Sequence, residues 1–432
     1  MAAECVLLLN PPGPPGVAPN REGAAGMGAL AEEGGFVYPP QTLASVAAVL
    51  RAAGWPVVAH DAVGAGWGLE EVCRRVAAAG PAVVGLFVSA LTLESDLGVL
   101  AALRRAHPAG RYLLFGGGLR AVQRALADGL GAVALVGEPE GLMAAACERL
   151  ARGEAAATGI WTAADLGGSE WVEDLDGLPF PAWDLVGPQR YPFLTVQASR
   201  GCPERCLYCP YVVAQGRAWR GRDSEGVLAE LRWLRERFRP RRVVFRDPVF
   251  ARERARVEAL CRGLVADPAL RPGRGERYWW WEAESRPEHF DRELLQLIRR
   301  AGCASLKIGL ETVHASLLCA LGRTADAAAA ARYVAAAARR VEESRRVGIG
   351  CRLFVLVGVP GESDQAVAET ARFLQEVRPV AVHVKPFVAY PGLAWPEGLC
   401  VPSAEETQAR CQALRRAAAG PRRGWWRRWW RG

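Results

Sequence analysis

Long apolar runs are missing from the sequence. No stretch of about 18 uninterrupted apolar residues occurs, and a helix needs that length to cross a bilayer. A signal-peptide pattern is missing as well, because Glu4 stands where a basic region is expected and the apolar run after it is short. We therefore expect a cytoplasmic protein without membrane-spanning helices.

Charged residues are also scarce. They make up 23% of the 432 residues, against 50% hydrophobic residues, which excludes a disordered chain and leaves enough apolar material for two cores. The net charge of +8 comes from 54 Lys and Arg, almost all of them Arg. A charge of this size does not by itself indicate binding to nucleic acid, so we do not expect nucleic acid as a partner.

Paired cysteine spacing, as in a disulfide framework, is absent from most of the chain. Most of the 12 Cys stand singly in apolar helical stretches, for example Cys73, Cys147 and Cys261. Thiols of this kind are usually small buried hydrophobes in a reducing compartment.

The exception is the stretch SRGCPERCLYCPY at 199–211, which carries Cys202, Cys206 and Cys209 in a CxxxCxxC spacing. A tight loop with this spacing can direct three thiolates to one [4Fe-4S] cluster and leave one iron without a protein ligand. That open iron is a place where a substrate can bind. The three Cys are therefore the predicted metal ligands.

Other interpretations of the three thiols remain open at this point. A structural zinc would need a fourth ligand, and no His or Cys follows soon after Cys209. Disulfides would need an oxidising compartment and usually an even number of partners. Three unrelated buried thiols are the last alternative.

The first half of the chain alternates short apolar runs with helical patterns, from VLLL at 6–9 to AVALVG at 132–137. This alternation predicts a Rossmann-like doubly wound parallel sheet over 1–152. Ligands of such sheets bind beyond the carboxyl ends of the strands. The candidates there are Asn10, Ser89, Gly116, Gly117, Gly118, Gly137 and Glu138, although the glycines could equally form ordinary tight turns.

Periodicity is lost over 153–192, which we interpret as a linker, with Trp183 as a packing anchor. Six further β/α repeats follow over 193–395, and a closed barrel of eight would need more chain. The predicted fold class is therefore α/β, with a partial (β/α)6 barrel after the first sheet. Residues 396–432 form a short helical tail that ends in Trp and Arg. This tail suggests weak peripheral contact with an anionic membrane, against the alternative of a solvated end.

The cysteine loop, with Tyr208 before its last Cys, resembles that of the radical S-adenosylmethionine (radical SAM) superfamily. The resemblance implies a [4Fe-4S] cluster, S-adenosylmethionine and an external one-electron reductant of the flavodoxin or ferredoxin type. It also implies reductive cleavage of S-adenosylmethionine to a 5′-deoxyadenosyl radical. Residues that match the family's cofactor contacts are Asp247, Glu284, Arg286, Glu311, Arg352, Gly358 and Pro360.

The first half resembles the cobalamin-binding domain that precedes the barrel in one class of these enzymes. NPP after the first strand, YPP at 38–40, the FGGG loop and VGEPE carry this resemblance. The DxHxxG motif, which supplies a histidine ligand to cobalt, is missing. The resemblance therefore implies cobalamin without a lower His ligand, or else a degenerate site.

Substrate-facing candidates follow from the barrel pattern: Trp279, Trp280, Trp281, Tyr208, His383, Lys385 and Tyr390. At least one Trp must point away from the barrel interior, because successive strand residues face opposite sides. His383 and Lys385 share one face and could meet an anionic group, although ordinary polar satisfaction at a barrel rim is the alternative.

These resemblances imply a cobalamin-dependent radical SAM enzyme that methylates an unactivated carbon of a small molecule from a secondary-metabolite or lipid pathway. One alternative is a non-methylating radical SAM cyclase, oxidase or rearrangement enzyme with the corrin bound or lost. An RNA-modifying enzyme is a further alternative, but no appended RNA-binding module is visible in the sequence.

Overall fold

The computed structural model describes residues 5–28, 30–31, 37–123, 126, 131–153, 159–270, 280–393, 395 and 401–418. These residues form two six-stranded sheets, one in each half of the chain. Within the described part, no helix combines the length and the apolar character that a bilayer crossing requires.

The first sheet is parallel throughout, with strands in the order β2-β1-β3-β4-β5-β6. Its strands are β1 Val6–Asn10, β2 Val57–Asp61, β3 Val83–Phe87, β4 Arg111–Phe115, β5 Val133–Val136 and β6 Gly159–Thr162. Every residue of β1, β3 and β5 is buried, because helices cover both faces of the sheet. The predicted doubly wound sheet is confirmed. The strand β6 was not predicted, since it lies in the stretch interpreted as a linker.

Four longer helices accompany these strands. They are α1 Gln41–Ala52, α2 Leu69–Ala79, α3 Leu93–Ala106 and α4 Pro139–Arg152. Short helical turns lie at Ala62–Ala65, Leu119–Val122, Ala163–Leu166 and Trp183–Val186, and 3-10 turns lie at Ala24–Gly26, Ala90–Thr92 and Pro188–Arg190. One helical pattern of the first half, AVQRALADG at 121–129, predicts a further helix, most of which lies outside the described residues.

The second sheet is also parallel, in the order β12-β11-β10-β9-β8-β7. Its strands are β7 Leu194–Val196, β8 Arg242–Phe245, β9 Trp280–Ser285, β10 Cys303–Glu311, β11 Gly350–Val357 and β12 Ala381–Pro386. The strands β7 and β12 are the two edges, so the barrel is open between them. The predicted partial barrel of six strands is confirmed.

The helices of the second half are α5 Ser224–Arg237, α6 Arg254–Ala266, α7 Arg292–Arg300, α8 Ala327–Val347, α9 Asp364–Val377 and α10 Ala404–Ala418. Shorter helices lie at Tyr211–Ala214 and Ala315–Ala320. The helix α10 confirms the predicted helical start of the tail. The Trp- and Arg-rich end at 419–432, proposed as a membrane contact, lies outside the described residues, and so does Trp279.

A buried ion-pair cluster joins the two halves. Arg220 lies 2.8 Å from the Glu138 carboxylate, and Arg200 lies 2.7 Å from Glu140 and 3.4 Å from Glu138. All four side chains are at most 9% exposed. Arg200 lies two residues before Cys202, so this ion-pair cluster holds the start of the cysteine loop against the first sheet.

Removing one partner of this cluster should destabilise the protein. We expect Arg220→Met to lower the free energy of unfolding by about 3 kcal/mol, because the Glu138 carboxylate stays buried with less compensation. The matched control is Arg74→Met, which breaks an exposed pair with Glu71 and should cost less than about 1 kcal/mol. Urea unfolding of both variants measures the difference. Equal losses in the two variants would show that the buried cluster contributes no more than a surface pair.

Candidate active site

The cysteine loop is anchored on both sides by backbone hydrogen bonds. Ser199–Arg200 pairs with Arg220–Gly221, the Cys202 amide donates to the Gly216 carbonyl at 3.1 Å, and the Leu207 amide donates to the Leu321 carbonyl at 2.9 Å. Gly201 is required, because its φ is +78° and a Cβ there would lie 1.9 Å from the Ala218 carbonyl oxygen. The loop is therefore held in one conformation by its surroundings.

Cys202, Cys206 and Cys209 line one cavity at the mouth of the barrel. Burial raises the pKa of the Cys202 thiol. All three are free thiols, so the disulfide alternative is not supported. Within the described ranges, no three His, Cys, Asp or Glu side chains stand together as ligands of one metal ion. A four-iron cluster binds each thiolate through a separate iron, whereas a structural zinc needs four ligands on one ion, so a set of three cysteines fits a cluster better than a structural zinc.

Glu311 faces the same cavity from the end of β10. Its φ of +65° lies in the left-handed region, where a non-glycine residue costs about 1–2 kcal/mol. The register of β10 against β11 shifts between Gly309 and Glu311, and this irregularity turns the side chain into the cavity. The Tyr208 hydroxyl donates to the Glu311 carboxylate at 2.8 Å. Burial raises the pKa of Glu311, although Arg323, whose guanidinium lies 4.0 Å away, opposes the shift.

Glu284 and Arg286 also line the cavity, at the end of β9. Arg286 is held by Glu204 at 2.7 Å and by Glu288 at 2.6 Å. Among the described residues, the Glu284 carboxylate forms no salt bridge. The sequence therefore placed both residues at the cavity, and the structure leaves Glu284 as the carboxylate available to a ligand.

A further part of the cavity wall comes from β11, β12 and the chain after them. Phe354, Leu356, Lys385, Phe387 and Tyr390 line it. The Lys385 ammonium lies 4.4 Å from the Phe354 ring centroid, a cation–π contact. Burial raises the pKa of Tyr390 to about 12. This wall combines apolar surface with one cation and one phenol.

His383 shares a strand with Lys385 but does not line the cavity. Its ring centroid lies 5.0 Å from that of Phe354. Partial desolvation, together with the Arg352, Lys307 and Lys385 cations, lowers the pKa of His383 to about 4, although the residue as a whole is exposed to solvent. The imidazole is therefore neutral at pH 7, and the predicted contact of His383 with an anionic group stays a prediction.

Four predicted cofactor contacts lie away from the cavity. Asp247 accepts hydrogen bonds from the Ala198 amide at 2.9 Å and the Ser199 hydroxyl at 2.6 Å, so it holds the chain that enters the cysteine loop. Arg352 lies 3.3 Å from Glu282, inside the barrel below the cavity. A Cβ at Gly358 would lie 2.7 Å from the Thr407 hydroxyl, because α10 covers the turn that also contains Pro360. In the structure, these four residues contact other parts of the protein and do not line the cavity.

The two described tryptophans of the WWW run lie on opposite faces of β9. Trp281 packs against Phe245 and Phe250, with centroid distances of 5.4 and 5.5 Å, and donates to the Ala301 carbonyl at 2.8 Å. The Arg242 guanidinium lies 5.2 Å from the Trp280 ring. Neither lines the cavity, and the contacts of Trp281 agree with the expectation that at least one Trp points away from the barrel interior. A substrate contact of these tryptophans stays a prediction.

At the carboxyl ends of the strands of the first sheet, most of the residues predicted to contact a corrin instead contact other protein groups. Arg21, which is 2% exposed, donates to Asn10 Oδ1 at 2.8 Å and also contacts Asp96. Ser89 and Thr92 share a hydrogen bond of 2.6 Å. A Cβ at Gly118 would lie 2.9 Å from the Ala90 amide nitrogen. Residues 20–28 therefore cover the strand ends that the sequence assigned to a ligand.

The other predicted contacts at this edge have similar surroundings. A Cβ at Gly116 would lie 2.1 Å from the Val88 carbonyl oxygen, one at Gly117 would lie 3.4 Å from Ala214, and one at Gly137 would lie 2.8 Å from Leu142. Glu138 belongs to the ion-pair cluster with Arg200 and Arg220. Gly117 and Glu138 nevertheless border a polar cavity between the two halves.

That interdomain cavity was not predicted. Its lining combines amide and hydroxyl side chains with three carboxylates and two arginines: Gln41, Thr42, Ser45, Gln197, Gln215, Glu22, Glu138, Glu140, Arg200 and Arg246. Arg246 is stacked on Tyr38 at 3.9 Å and donates to the Glu22 carbonyl. The sequence gives little signal for the amide and hydroxyl members of this set, because they are far apart in the chain.

Comparisons with known proteins agree with this arrangement. The model of the radical SAM superfamily matches residues 196–374, which include the cysteine loop and the strands β8 to β11. The second half of the chain is therefore a radical SAM domain. An uncharacterized methyltransferase of Pyrococcus horikoshii, PH0819, is 24% identical over 217 residues, which are 48% of this chain and 43% of the relative. The match thus spans less than half of that relative's length.

Two solved structures share the fold of both halves. One is the radical S-adenosylmethionine methyltransferase TsrM from Kitasatospora setae, with cobalamin and a [4Fe-4S] cluster bound. The match has a TM-score of 0.67 at 17% identity and covers 89% of this chain and 75% of the TsrM chain. The other is the cobalamin-dependent S-adenosylmethionine radical enzyme OxsB, with a TM-score of 0.62 at 14% identity over 91% of this chain and 54% of the OxsB chain. At these identities the likeness concerns the fold, a Rossmann-like sheet followed by a radical SAM barrel.

Proposed function

We propose that this protein is a cobalamin-dependent radical SAM methyltransferase acting on a small molecule. The observation that carries the proposal is the cavity in which Cys202, Cys206 and Cys209 meet Glu311, held in a left-handed conformation at the end of β10. Backbone strain of this kind persists where the surroundings enforce it, typically at ligand sites. The methyltransferase relative and the TsrM fold support methyl transfer.

The three cysteines would hold three irons of a [4Fe-4S] cluster. When bound, that cluster supplies the single electron that cleaves the sulfonium of S-adenosylmethionine. Glu311 would accept the ribose hydroxyls, with its carboxylate oriented by Tyr208. Glu284 would accept the amino group, because it lines the cavity, whereas the predicted contact Asp247 lies outside the lining and accepts hydrogen bonds from Ala198 and Ser199.

The interdomain cavity supports a place for cobalamin. Amide and hydroxyl side chains such as Gln41, Ser45, Gln197 and Gln215 can hydrogen-bond the amide groups around a corrin ring. Bound cobalamin would supply a cobalt that carries a methyl group. Both cavities border the same segment, because Ala24 lines the cysteine cavity and Ala25 lines the interdomain one.

The substrate would lie against the wall formed by Phe354, Leu356, Lys385, Phe387 and Tyr390. This wall excludes water from the radical and offers apolar contact to an organic substrate. Lys385 and Tyr390 are its polar groups and would orient the substrate. An external one-electron donor of the flavodoxin or ferredoxin type would reduce the cluster.

Product analysis tests the proposal. Anaerobically reconstituted protein with S-adenosylmethionine, hydroxocobalamin and a strong reductant should yield 5′-deoxyadenosine together with S-adenosylhomocysteine, and the protein should retain a corrin absorbance band after gel filtration. Material without iron, or with iron that leaves S-adenosylmethionine intact, would overturn the proposal.

A second function is favoured by one observation. Residues 20–28 cover the strand ends next to Asn10, Ser89 and Gly118, which leaves less room for a corrin at that edge. A non-methylating radical SAM enzyme would need only the cysteine cavity. Formation of 5′-deoxyadenosine without S-adenosylhomocysteine and without a retained corrin band would identify this second function.

A further inference from the structure

We propose that Arg323 is a positioning residue that ties Cys206 to Glu311 and raises the reduction potential of the cluster. This inference rests on the proposed [4Fe-4S] cluster and goes beyond it by assigning a residue that no sequence motif indicated. Arg323 lies between the helix Ala315–Ala320 and α8, in a chain where arginine is abundant.

The contacts of Arg323 fix its guanidinium from three sides. Its Nη1 donates to Cys206 Sγ at 3.5 Å, its Nη2 donates to the Gly309 carbonyl at 3.0 Å, and its Nε donates to the Tyr333 hydroxyl at 2.8 Å. The Tyr333 hydroxyl in turn donates to the Gly309 carbonyl. A planar guanidinium with this many directional bonds cannot turn away from the sulfur without breaking several of them.

Arg323 also connects the cysteine to the proposed nucleotide contact. Its Nη2 lies 4.0 Å from Glu311 Oε1, and Glu311 accepts from Tyr208 in the loop between Cys206 and Cys209. Gly309, whose carbonyl accepts from Arg323, is the residue next to the strand irregularity that turns Glu311 inward. One side chain therefore holds the cluster ligand and the end of β10 in a fixed relation.

The sign of the electrostatic effect follows from charge. Reduction adds a negative charge to a cluster, and both a hydrogen bond to a ligating sulfur and a nearby cation stabilise that charge. The Arg323 side chain is 10% exposed, so solvent screens the effect little.

Other cations line the same cavity and make different contacts. Arg286 is paired with Glu204 and Glu288, and Lys385 lies over Phe354. In the described part of the chain, Arg323 is the cation with a hydrogen bond to a cluster cysteine. Lys385 therefore provides a matched control, because replacing it removes one positive charge from the same cavity and breaks no hydrogen bond to a cysteine of the loop.

The test is an EPR-monitored redox titration of the reconstituted cluster. At a potential where the wild-type cluster is half reduced, we expect Arg323→Met to lower the ratio of reduced to oxidised cluster about tenfold, which corresponds to a potential about 59 mV lower for one electron. The reduction potential of Arg323→Lys should lie between those of the wild type and Arg323→Met, because a lysine ammonium keeps the positive charge but cannot form the forked hydrogen bonds of a guanidinium. Lys385→Met should change the ratio less than about twofold.

Iron content separates tuning from assembly. If Arg323→Met contains as much iron as wild type and shows an unchanged potential, the inference is wrong. If that variant loses its cluster, the titration of Arg323→Lys decides, and a wild-type potential there overturns the inference. Failure of the proposed function would look different, because the wild-type protein itself would then lack iron or leave S-adenosylmethionine intact.

Discussion

Replacing Cys206 with Ala is expected to reduce the cleavage of S-adenosylmethionine by at least about a thousandfold. The reason is that a [4Fe-4S] cluster held by two thiolates has two irons without protein ligands and is lost or changed in form. Cys206 is 4% exposed and lies in the wall of the proposed cofactor cavity. The measurement is 5′-deoxyadenosine formed per chain under strong reductant, with iron content and the cluster absorbance recorded on the same sample.

Cys261→Ala is the matched control for this experiment. Cys261 is 0% exposed in α6 and does not line the cavity, so its replacement removes a buried thiol of the same kind without touching the cysteine loop. It should cost about 1 kcal/mol of stability and leave the iron content unchanged. Equal iron loss in both variants would mean that the cysteines of the loop are no more than buried packing residues.

The second large effect is expected for Glu311→Gln. We expect this variant to lower the rate of S-adenosylmethionine cleavage by about a hundredfold, corresponding to about 2.7 kcal/mol, because a neutral amide accepts the ribose hydroxyls less strongly than a carboxylate. The side chain keeps its size, and the amide oxygen can still accept from Tyr208. Binding of S-adenosylmethionine by equilibrium dialysis and the initial rate of 5′-deoxyadenosine formation separate affinity from turnover.

Glu311→Gly supplies a further comparison at the same position. Glycine adopts φ of +65° without strain, so this variant should lose activity and yet gain about 1 kcal/mol of stability. Thermal unfolding of the cluster-free protein measures the gain. A variant that binds S-adenosylmethionine as tightly as wild type would contradict the proposed role of the carboxylate, and a lower melting temperature would contradict the inferred strain.

The predicted pattern of strands and helices agrees with most of the structure because it depends on local sequence. Buried parallel strands are short apolar runs, and the twelve strands of the two sheets are visible in this way apart from β6. Its sequence, Gly159–Thr162, is only partly apolar, and it forms a strand because it pairs with β5 at the sheet edge. The linker that follows brings Trp183, which is 0% exposed, into a shared core as expected.

The predicted site is less complete, because carboxylates that end neighbouring strands look alike in sequence. Asp247 and Glu284 both follow apolar strands, yet only Glu284 faces the cavity. Asp247 is turned to Ala198 and Ser199, which belong to the neighbouring strand end. Similarly, Asn10 and Ser89 look like ligand contacts in sequence but belong to a network around Arg21 and Asp96.

The sequence by itself determined the fold class and the three thiols of the loop, because these depend on spacing within a few residues, and Glu311 was indicated by resemblance to the radical SAM family. Only the tertiary structure decided which side chains share the cavity. Arg323 reaches Cys206 across 117 residues of chain, and Glu311 faces inward because β10 shifts its register against β11. Neither contact follows from local periodicity, since both depend on how distant strands and loops meet at the mouth of the barrel.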